Sequence, residues 1–203
     1  MLEWKIGGCR FRLHILFPAS LCLLLFTGFR ETLLWSLLAA LLHEGGHLLV
    51  MVLCGIPPRQ VQFCPFGVVI TEGAGVRRGY GKDALVALGG PAANGLAALS
   101  GFCLFGTDSL FFLANTVLGL FNLLPAESLD GGRAVNALLC LRFLPEKAEK
   151  LTFFLSLCVI LPVTALGVLI LLRERGNFTL LAAGVYLLLC PLMKRRRLLL
   201  RGG

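Results

Sequence analysis

Long apolar segments alternate with short polar ones along almost all of this 203-residue chain. About 20 consecutive apolar residues are enough for a helix to cross the hydrocarbon of a bilayer. Six segments meet or approach this length, and the first and the last are short. They run from Ile15 to Phe29, Thr32 to Cys54, Ala84 to Thr107, Ser109 to Ala126, Leu151 to Leu172 and Gly176 to Met193. The pattern predicts an all-α polytopic membrane protein with six transmembrane helices.

The residues before the first span alternate between polar and apolar. Within residues 4–15, Arg10, Arg12 and His14 fall on one side of an extended chain, and apolar residues fall on the other. A period of two is typical of a strand, so we predict a short N-terminal strand that leads into the first span. His14 lies at the membrane edge, where an amphipathic side chain is stable, and we interpret it as an interfacial residue.

A second strand-like stretch connects the second and third spans. Pro57 and Pro58 are predicted to end the second span. Residues 60–71 are then rich in β-branched and aromatic residues, with interruptions at Pro65 and Gly67. This composition predicts a membrane-associated loop that resembles a hairpin, whose edge would accept an extended substrate as an added strand. An ordinary connector is the alternative interpretation of this loop.

Composition and charge agree with a membrane protein and indicate its orientation. The chain is 57% hydrophobic and 15% charged, with a mean hydropathy of +0.86, which is too apolar for a soluble domain. If the N-terminus is cytoplasmic, all of the 19 Lys and Arg residues except Arg30, Arg173 and Arg175 lie on the cytoplasmic side. This bias explains the net charge of +8 without a nucleic-acid partner, and it predicts that both termini are cytoplasmic.

The predicted organisation has three parts. Residues 1–14 form the cytoplasmic N-terminal strand, residues 15–193 form the six-span core, and residues 194–203 form a basic cytoplasmic tail. The eight cysteines lie in or near the predicted spans and include no C-x-x-C pair. We therefore interpret them as reduced apolar residues, not as a disulfide framework or a metal site.

The second span contains the sequence His43-Glu44-Gly45-Gly46-His47. Ionisable groups inside a span are costly, so their presence indicates a functional site. Positions i and i+4 share one face of a helix, which allows both imidazoles to bind one metal ion, with Glu44 as a base that acts on water. The alternative is a buried polar network at a helix contact.

The fourth segment contains a predicted break. Residues 109–144 number 36, too many for one spanning helix, and Pro125 and Gly131-Gly132 mark the interruption. Irregular backbone at membrane depth requires surrounding protein or a water-filled cavity. In the predicted topology Asp130 lies at the depth of the histidine pair and becomes the candidate third ligand of a catalytic zinc site with one open position. A helix-cap or turn role is the alternative for Asp130, and Glu127 is a competing candidate ligand.

The remaining spans add one polar candidate. The small residues at 89–95 in the third span allow neighbouring helices to approach closely. Asn94 needs a polar partner inside a span, and we expect it to point into the cavity of the histidines. The fifth and sixth spans carry no ionisable residue, and we interpret them as scaffold or gating helices.

Four motifs extend together over most of the chain. They are HEGGH at 43–47, PFG at 65–67, GGPAAN at 89–94 and NLLPAESLDGGR at 122–133. The last motif contains the pattern N-x-x-P-x-x-x-L-D-G-G, and the set resembles that of the site-2 protease family of intramembrane zinc metalloproteases. Within the family, the chain looks most like the stage IV sporulation protein FB branch, without its CBS domain and without a PDZ insertion.

The resemblance implies roles for particular residues. His43, His47 and Asp130 would bind Zn²⁺, and Glu44 would be the catalytic base. Asn94 and Asn122 would contact the substrate or the oxyanion.

The resemblance also implies a reaction and partners. The substrate would be a membrane-spanning or membrane-tethered protein, such as a pro-sigma-type transcription-factor precursor. The bilayer, a regulatory membrane protein or a second copy of the chain would be further partners. Two other classes remain open, a membrane metal-ion transporter and an inactive scaffold. A single histidine pair at one depth disfavours the transporter, and an intact Glu44 disfavours the scaffold.

Overall fold

The computed structural model describes residues 2–6, 9–13, 30–56, 58–64, 67–72, 79–173 and 180–189. These residues belong to two compact units, Met1–Leu120 and Phe121–Gly203. Several predictions concern residues outside this set. They are the first span at 15–29, His14, most of the PFG motif and the basic tail at 194–203.

The described residues form six helices. They are α1 (Arg30–Leu53), α2 (Tyr80–Phe105), α3 (Leu110–Leu123), α4 (Asp130–Cys140), α5 (Pro145–Arg173) and α6 (Leu180–Leu189). By length and composition, α1, α2 and α5 are able to cross a membrane, and α3 and α6 are shorter apolar helices. Three of the predicted spans are therefore confirmed as helices of spanning length, while the full set of six stays a prediction.

The first unit also contains a four-stranded sheet with the order β1-β2-β3-β4. Its strands are β1 (Leu2–Ile6), β2 (Cys9–Leu13), β3 (Pro58–Cys64) and β4 (Gly67–Glu72). The pairs β1–β2 and β3–β4 are antiparallel, and β2 pairs with β3 in parallel. The prediction of a single N-terminal strand was incomplete, because the alternation in the sequence begins only after Gly7-Gly8 and therefore indicates β2 alone.

The parallel pair joins two segments that lie far apart in the sequence. Arg10 is opposite Gln60, and Leu13 is opposite Phe63. Parallel strands need a long crossover connection, and here that connection includes α1. The loop predicted over residues 60–71 contains two paired strands, β3 and β4. Its association with a membrane stays a prediction.

Helix α1 ends at a glycine before the two prolines of the sequence are reached. Gly55 has φ +73°, a left-handed conformation that favours glycine. The Ile56 N–H donates to the Met51 carbonyl at 2.9 Å, and the Gly55 N–H donates to the Val52 carbonyl at 3.0 Å. This is the Schellman arrangement, and Met51 and Ile56 also pack together in the core. The predicted end of this span at Cys54 is confirmed to within one residue, but Gly55, and not the two prolines, ends the helix.

Helices α1 and α2 approach each other closely at two glycines. A Cβ atom at Gly46 would lie 2.6 Å from the Cβ of Ala93, and one at Gly89 would lie 2.8 Å from the Gly46 carbonyl oxygen. The close packing predicted for the small residues is confirmed. These residues lie in the middle of α2, which begins at Tyr80 and continues through Pro91.

In the second unit, a short non-helical segment at residues 124–129 separates α3 from α4. The predicted break is confirmed, but Gly131 and Gly132 belong to the first turn of α4. A Cβ atom at either glycine would collide with a carbonyl, that of Leu123 or that of Ala126. The glycines therefore allow α4 to begin against the backbone of the segment before it.

Candidate metal centre

The two histidines of the HEGGH motif lie next to each other on α1. Both are buried, with 6% exposure for His43 and 7% for His47. Their Nε2 atoms are 3.2 Å apart. This is the arrangement expected for positions i and i+4 of a helix, and both nitrogens face the same space.

Asn94 fixes the protonation of the His43 ring. The Nδ1 atom of His43 is 2.5 Å from the Oδ1 atom of Asn94. Both amide hydrogens of Asn94 are donated elsewhere, to the Ala39 carbonyl at 3.0 Å and to Oδ1 of Asn115 at 2.9 Å. Because the amide oxygen must then face the imidazole, His43 carries its proton on Nδ1 and donates it to Asn94.

A backbone carbonyl fixes the His47 ring in the same way. The Nδ1 atom of His47 is 2.7 Å from the Val86 carbonyl oxygen, which can only accept a hydrogen bond. The Gly90 N–H lies 3.3 Å from the same nitrogen. The shorter contact determines the tautomer, because an unprotonated Nδ1 would repel the carbonyl oxygen. His47 therefore also donates from Nδ1.

The two Nε2 atoms consequently present lone pairs to each other. Two lone pairs 3.2 Å apart repel unless a cation lies between them. Histidine ligands of metals commonly donate the other ring N–H to a carbonyl or carboxylate. The contacts of His43 with Asn94 and of His47 with the Val86 carbonyl have this arrangement. Two nitrogens at about 2.0–2.1 Å from a tetrahedral zinc ion are themselves about 3.3 Å apart. The donor set therefore fits zinc.

Gly90 keeps the space beside both ring nitrogens open. A Cβ atom at this position would lie 2.7 Å from Nε2 of His43 and closer still to Nε2 of His47. Sequence reasoning assigned the glycines of this stretch to packing alone and missed this role. The available signal was spacing, since Gly90 and Asn94 are four residues apart and share one face of α2.

The other predicted site residues, Glu44, Asn122 and Asp130, lie on three different helices. Glu44 is half-buried on α1 immediately after His43. In the second unit, Asn122 is half-buried in the last turn of α3. Asp130 is the first residue of α4 and is 6% exposed, with its Oδ1 atom 3.4 Å from an Nη1 atom of Arg133. Asp130 is therefore neither a turn residue nor the N-cap, a position that Leu129 holds.

Asn94 contacts His43, as the sequence predicted, but its environment favours a role different from substrate binding. The side chain is fully buried. Both amide hydrogens are already donated, so none remains for an oxyanion. The geometry assigns Asn94 to the support of His43.

The segment that precedes Asp130 is held by α5. The Glu127 N–H donates to the Ser156 hydroxyl at 2.8 Å, and this hydroxyl lies 3.2 Å from the Pro125 carbonyl oxygen. Ala126 packs in a core cluster with Ile160 of α5 and Leu187 of α6. The fifth helix, interpreted from the sequence as scaffold or gate, therefore supplies a hydrogen-bond acceptor for the Glu127 N–H of the irregular segment.

Ser156→Ala should destabilise the second unit by about 0.5–1.5 kcal/mol, because the Glu127 N–H would lose this acceptor in a partly buried place. The free energy of unfolding in detergent measures this effect. Ser100→Ala is the matched control, since the exposed Ser100 hydroxyl, among the described residues, bonds only to the Ala97 carbonyl of its own helix. Equal stability of the two variants would contradict the role given to Ser156.

Comparison with known proteins relates the chain to a peptidase family and to a solved structure. The profile of Peptidase family M50 matches residues 107–163. The chain has the fold of the site-2 protease from Methanocaldococcus jannaschii, with a TM-score of 0.59 and 22% identity over 92% of this chain and 91% of that one. Residues 107–163 therefore resemble Peptidase family M50, and the chain has a site-2 protease fold, in agreement with the resemblance of its motifs.

Particular relatives are similar over most of this sequence. Stage IV sporulation protein FB of Bacillus subtilis is 29% identical over 141 residues, which are 66% of this chain and 49% of that protein. Zinc metalloprotease MJ0392 of Methanocaldococcus jannaschii is 27% identical over 168 residues, which are 73% of this chain and 48% of that protein. The chain thus spans about half the length of these curated relatives.

Proposed function

We propose that this protein is an intramembrane zinc metalloprotease that hydrolyses a peptide bond in a membrane-spanning or membrane-tethered protein. The observation that carries this proposal is the histidine pair on α1. Its two buried Nε2 lone pairs face each other at 3.2 Å, within a helix long and apolar enough to span a membrane. The match of residues 107–163 to the M50 profile and the zinc metalloprotease among the similar proteins support the same activity.

We assign His43, His47 and Asp130 as the zinc ligands. Asp130 is supported by its burial and by its place within residues 107–163, which match the M50 profile. Three protein ligands with one open position are usual for catalytic zinc. When bound, zinc activates water and polarises the scissile carbonyl.

Glu44 performs the proton transfers of the proposed reaction. Its carboxylate takes a proton from the attacking water and returns it to the leaving amine. Asn122 is the remaining candidate for a contact with the developing oxyanion, because its amide is able to donate a hydrogen bond.

The proposed substrate reaches the site in an extended form. A helix hides its carbonyl groups in its own hydrogen bonds, so the substrate must unwind locally before cleavage. Strand β3 is paired on both sides, with β2 and with β4. Among the described strands, β4 therefore offers the edge at this end of the sheet to which an extended segment would add.

The proposed partners are a membrane-tethered substrate, the surrounding lipid, and a regulatory membrane protein or a second copy of the chain. A pro-sigma-type precursor is the proposed substrate class, as the resemblance of the motifs to the sporulation branch implies, and stage IV sporulation protein FB is among the similar proteins. The proposed orientation, with both termini cytoplasmic, rests on the distribution of Lys and Arg.

Metal removal tests the proposed activity. The purified protein is reconstituted in vesicles with a single-pass reporter, treated with a chelator and then resupplied with Zn²⁺. We expect cleavage to disappear on chelation and to return with zinc, because the water is no longer activated without the metal. Gel analysis of the reporter measures cleavage, and a zinc-sensitive dye inside the vesicles measures flux.

The outcomes separate the three classes. Zinc-dependent cleavage without flux supports the protease. Zinc flux without cleavage would identify a transporter, and zinc binding with neither activity would identify a scaffold. Co-expression with a panel of membrane-tethered transcription-factor precursors then tests the substrate class.

A further inference from the structure

A chain of amide hydrogen bonds reaches His43 from the side opposite to its Nε2 atom. It begins in α3 at Asn115, which is fully buried and donates from Nδ2 to the Phe111 carbonyl at 2.9 Å. The Oδ1 atom of Asn115 accepts from Asn94, and Oδ1 of Asn94 accepts from His43. Three helices, α3, α2 and α1, thus contribute one residue each to the chain.

The direction of this chain is fixed at its outer end. A primary amide carries donors at one end and an acceptor at the other, so it could be placed in either of two orientations. Phe111 supplies a carbonyl oxygen, which only accepts, and this forces the Asn115 amide nitrogen toward it. The Asn115 oxygen then faces Asn94 and forces the Asn94 nitrogen toward Asn115.

Reversal of the Asn94 amide would change the metal centre. Its NH₂ group would then face Nδ1 of His43 and would favour the tautomer with the proton on Nε2. A protonated Nε2 has no lone pair for a metal ion. The Ala39 carbonyl supplies only one of the two acceptors that oppose this reversal, and Asn115 supplies the other.

We propose that Asn115 is a positioning residue of the metal centre, which holds Asn94 in the orientation that keeps the proton of His43 on Nδ1 and leaves Nε2 available to the metal. The effect on zinc rests on the proposed function, whereas the effect on the tautomer does not. Asn115 was not among the residues that the sequence indicated, because its partner Asn94 lies 21 positions earlier.

The tautomer is measured directly by the ¹⁵N chemical shifts of the histidine rings in metal-free protein. The chain has three histidines, so selective labelling gives few signals, and single substitutions assign them. We expect wild-type His43 to have a protonated Nδ1 and an unprotonated Nε2. In Asn115→Leu we expect the shifts of both nitrogens to move toward a mixture of the two tautomers.

Zinc affinity gives a second reading. Loss of a residue that hydrogen-bonds to a metal-binding histidine typically lowers the metal affinity by about 10–100-fold. We expect Asn115→Leu to raise the zinc Kd by a factor in this range. Asn115→Asp should keep the wild-type tautomer and Kd. In its neutral form this side chain donates from its hydroxyl to Phe111 and accepts from Asn94 with its carbonyl oxygen.

Thr116→Val is the matched control on the same helix. The buried Thr116 hydroxyl has no hydrogen-bond partner within the described residues, so its loss should leave the tautomer and the Kd unchanged. If Asn115→Leu does not fold, Asn115→Ala removes the same acceptor with less steric change. A wild-type His43 tautomer and zinc Kd in folded Asn115→Leu or Asn115→Ala would overturn the proposal, as would an equal change in Thr116→Val.

The two proposals fail separately. If substitution of Asn115 changes the tautomer but the wild-type protein cleaves no reporter with zinc, the positioning role stands and the protease assignment fails. If the wild-type protein cleaves the reporter with zinc and substitution of Asn115 leaves the His43 tautomer unchanged, the protease assignment stands and the positioning role fails.

Discussion

Glu44→Gln is expected to bind zinc with wild-type affinity and to lose cleavage of a membrane-tethered reporter. Glu44 is proposed as the base, and the two ring nitrogens that are proposed to bind the metal belong to His43 and His47. A general base typically contributes about 10²–10⁴-fold to the rate, and a neutral amide cannot accept the proton. The rate of reporter cleavage in vesicles and the zinc content of the purified variant provide the two measurements.

Glu31→Gln is the matched control for this substitution. Glu31 lies in the first turn of the same helix and is exposed. Its substitution should therefore leave both the rate of reporter cleavage and the zinc content unchanged. Cleavage by Glu44→Gln at the wild-type rate would remove Glu44 from the mechanism. If Glu44→Gln loses both its zinc and its cleavage activity, Glu44 instead supports the binding of the metal.

Gly90→Ala is expected to abolish zinc binding while the helices remain folded. The added methyl group would lie 2.7 Å from Nε2 of His43 and would also displace His47. Because the methyl group would displace both proposed ligand atoms at once, the loss of zinc affinity should be larger than the about 10–100-fold loss that follows removal of a hydrogen-bond partner of one ligand. Competition with a fluorescent zinc chelator measures the Kd, and far-UV circular dichroism reports the helical content.

Gly95→Ala is the control for the Gly90 substitution. Gly95 lies on the same helix, and a Cβ atom there would meet no heavy atom within 4 Å among the described residues. Alanine also favours a helix over glycine by about 1 kcal/mol, so this variant should be at least as stable as the wild type. Zinc binding by Gly90→Ala with wild-type affinity would show that the ion lies elsewhere.

The sequence predicted the features that depend on residues close together in the chain. The four-residue spacing of His43 and His47 places both rings on one helical face whatever the surrounding fold. Apolar length identified α1, α2 and α5, and Pro125 marked the break between α3 and α4. The end of α1 was predicted to within one residue, although Gly55 ends the helix before the prolines are reached.

The remaining features depend on how separate segments pack. The pairing of Asn94 with Asn115 joins two helices, and the parallel pairing of β2 with β3 joins strands on either side of α1. The space that Gly90 leaves beside the two imidazoles exists only because α2 crosses α1 at that height. The sequence by itself determined which residues could bind a metal, because periodicity places them on one face. Only the tertiary structure decided that their lone pairs face each other, because the groups that hold each ring's proton on Nδ1 come from another helix.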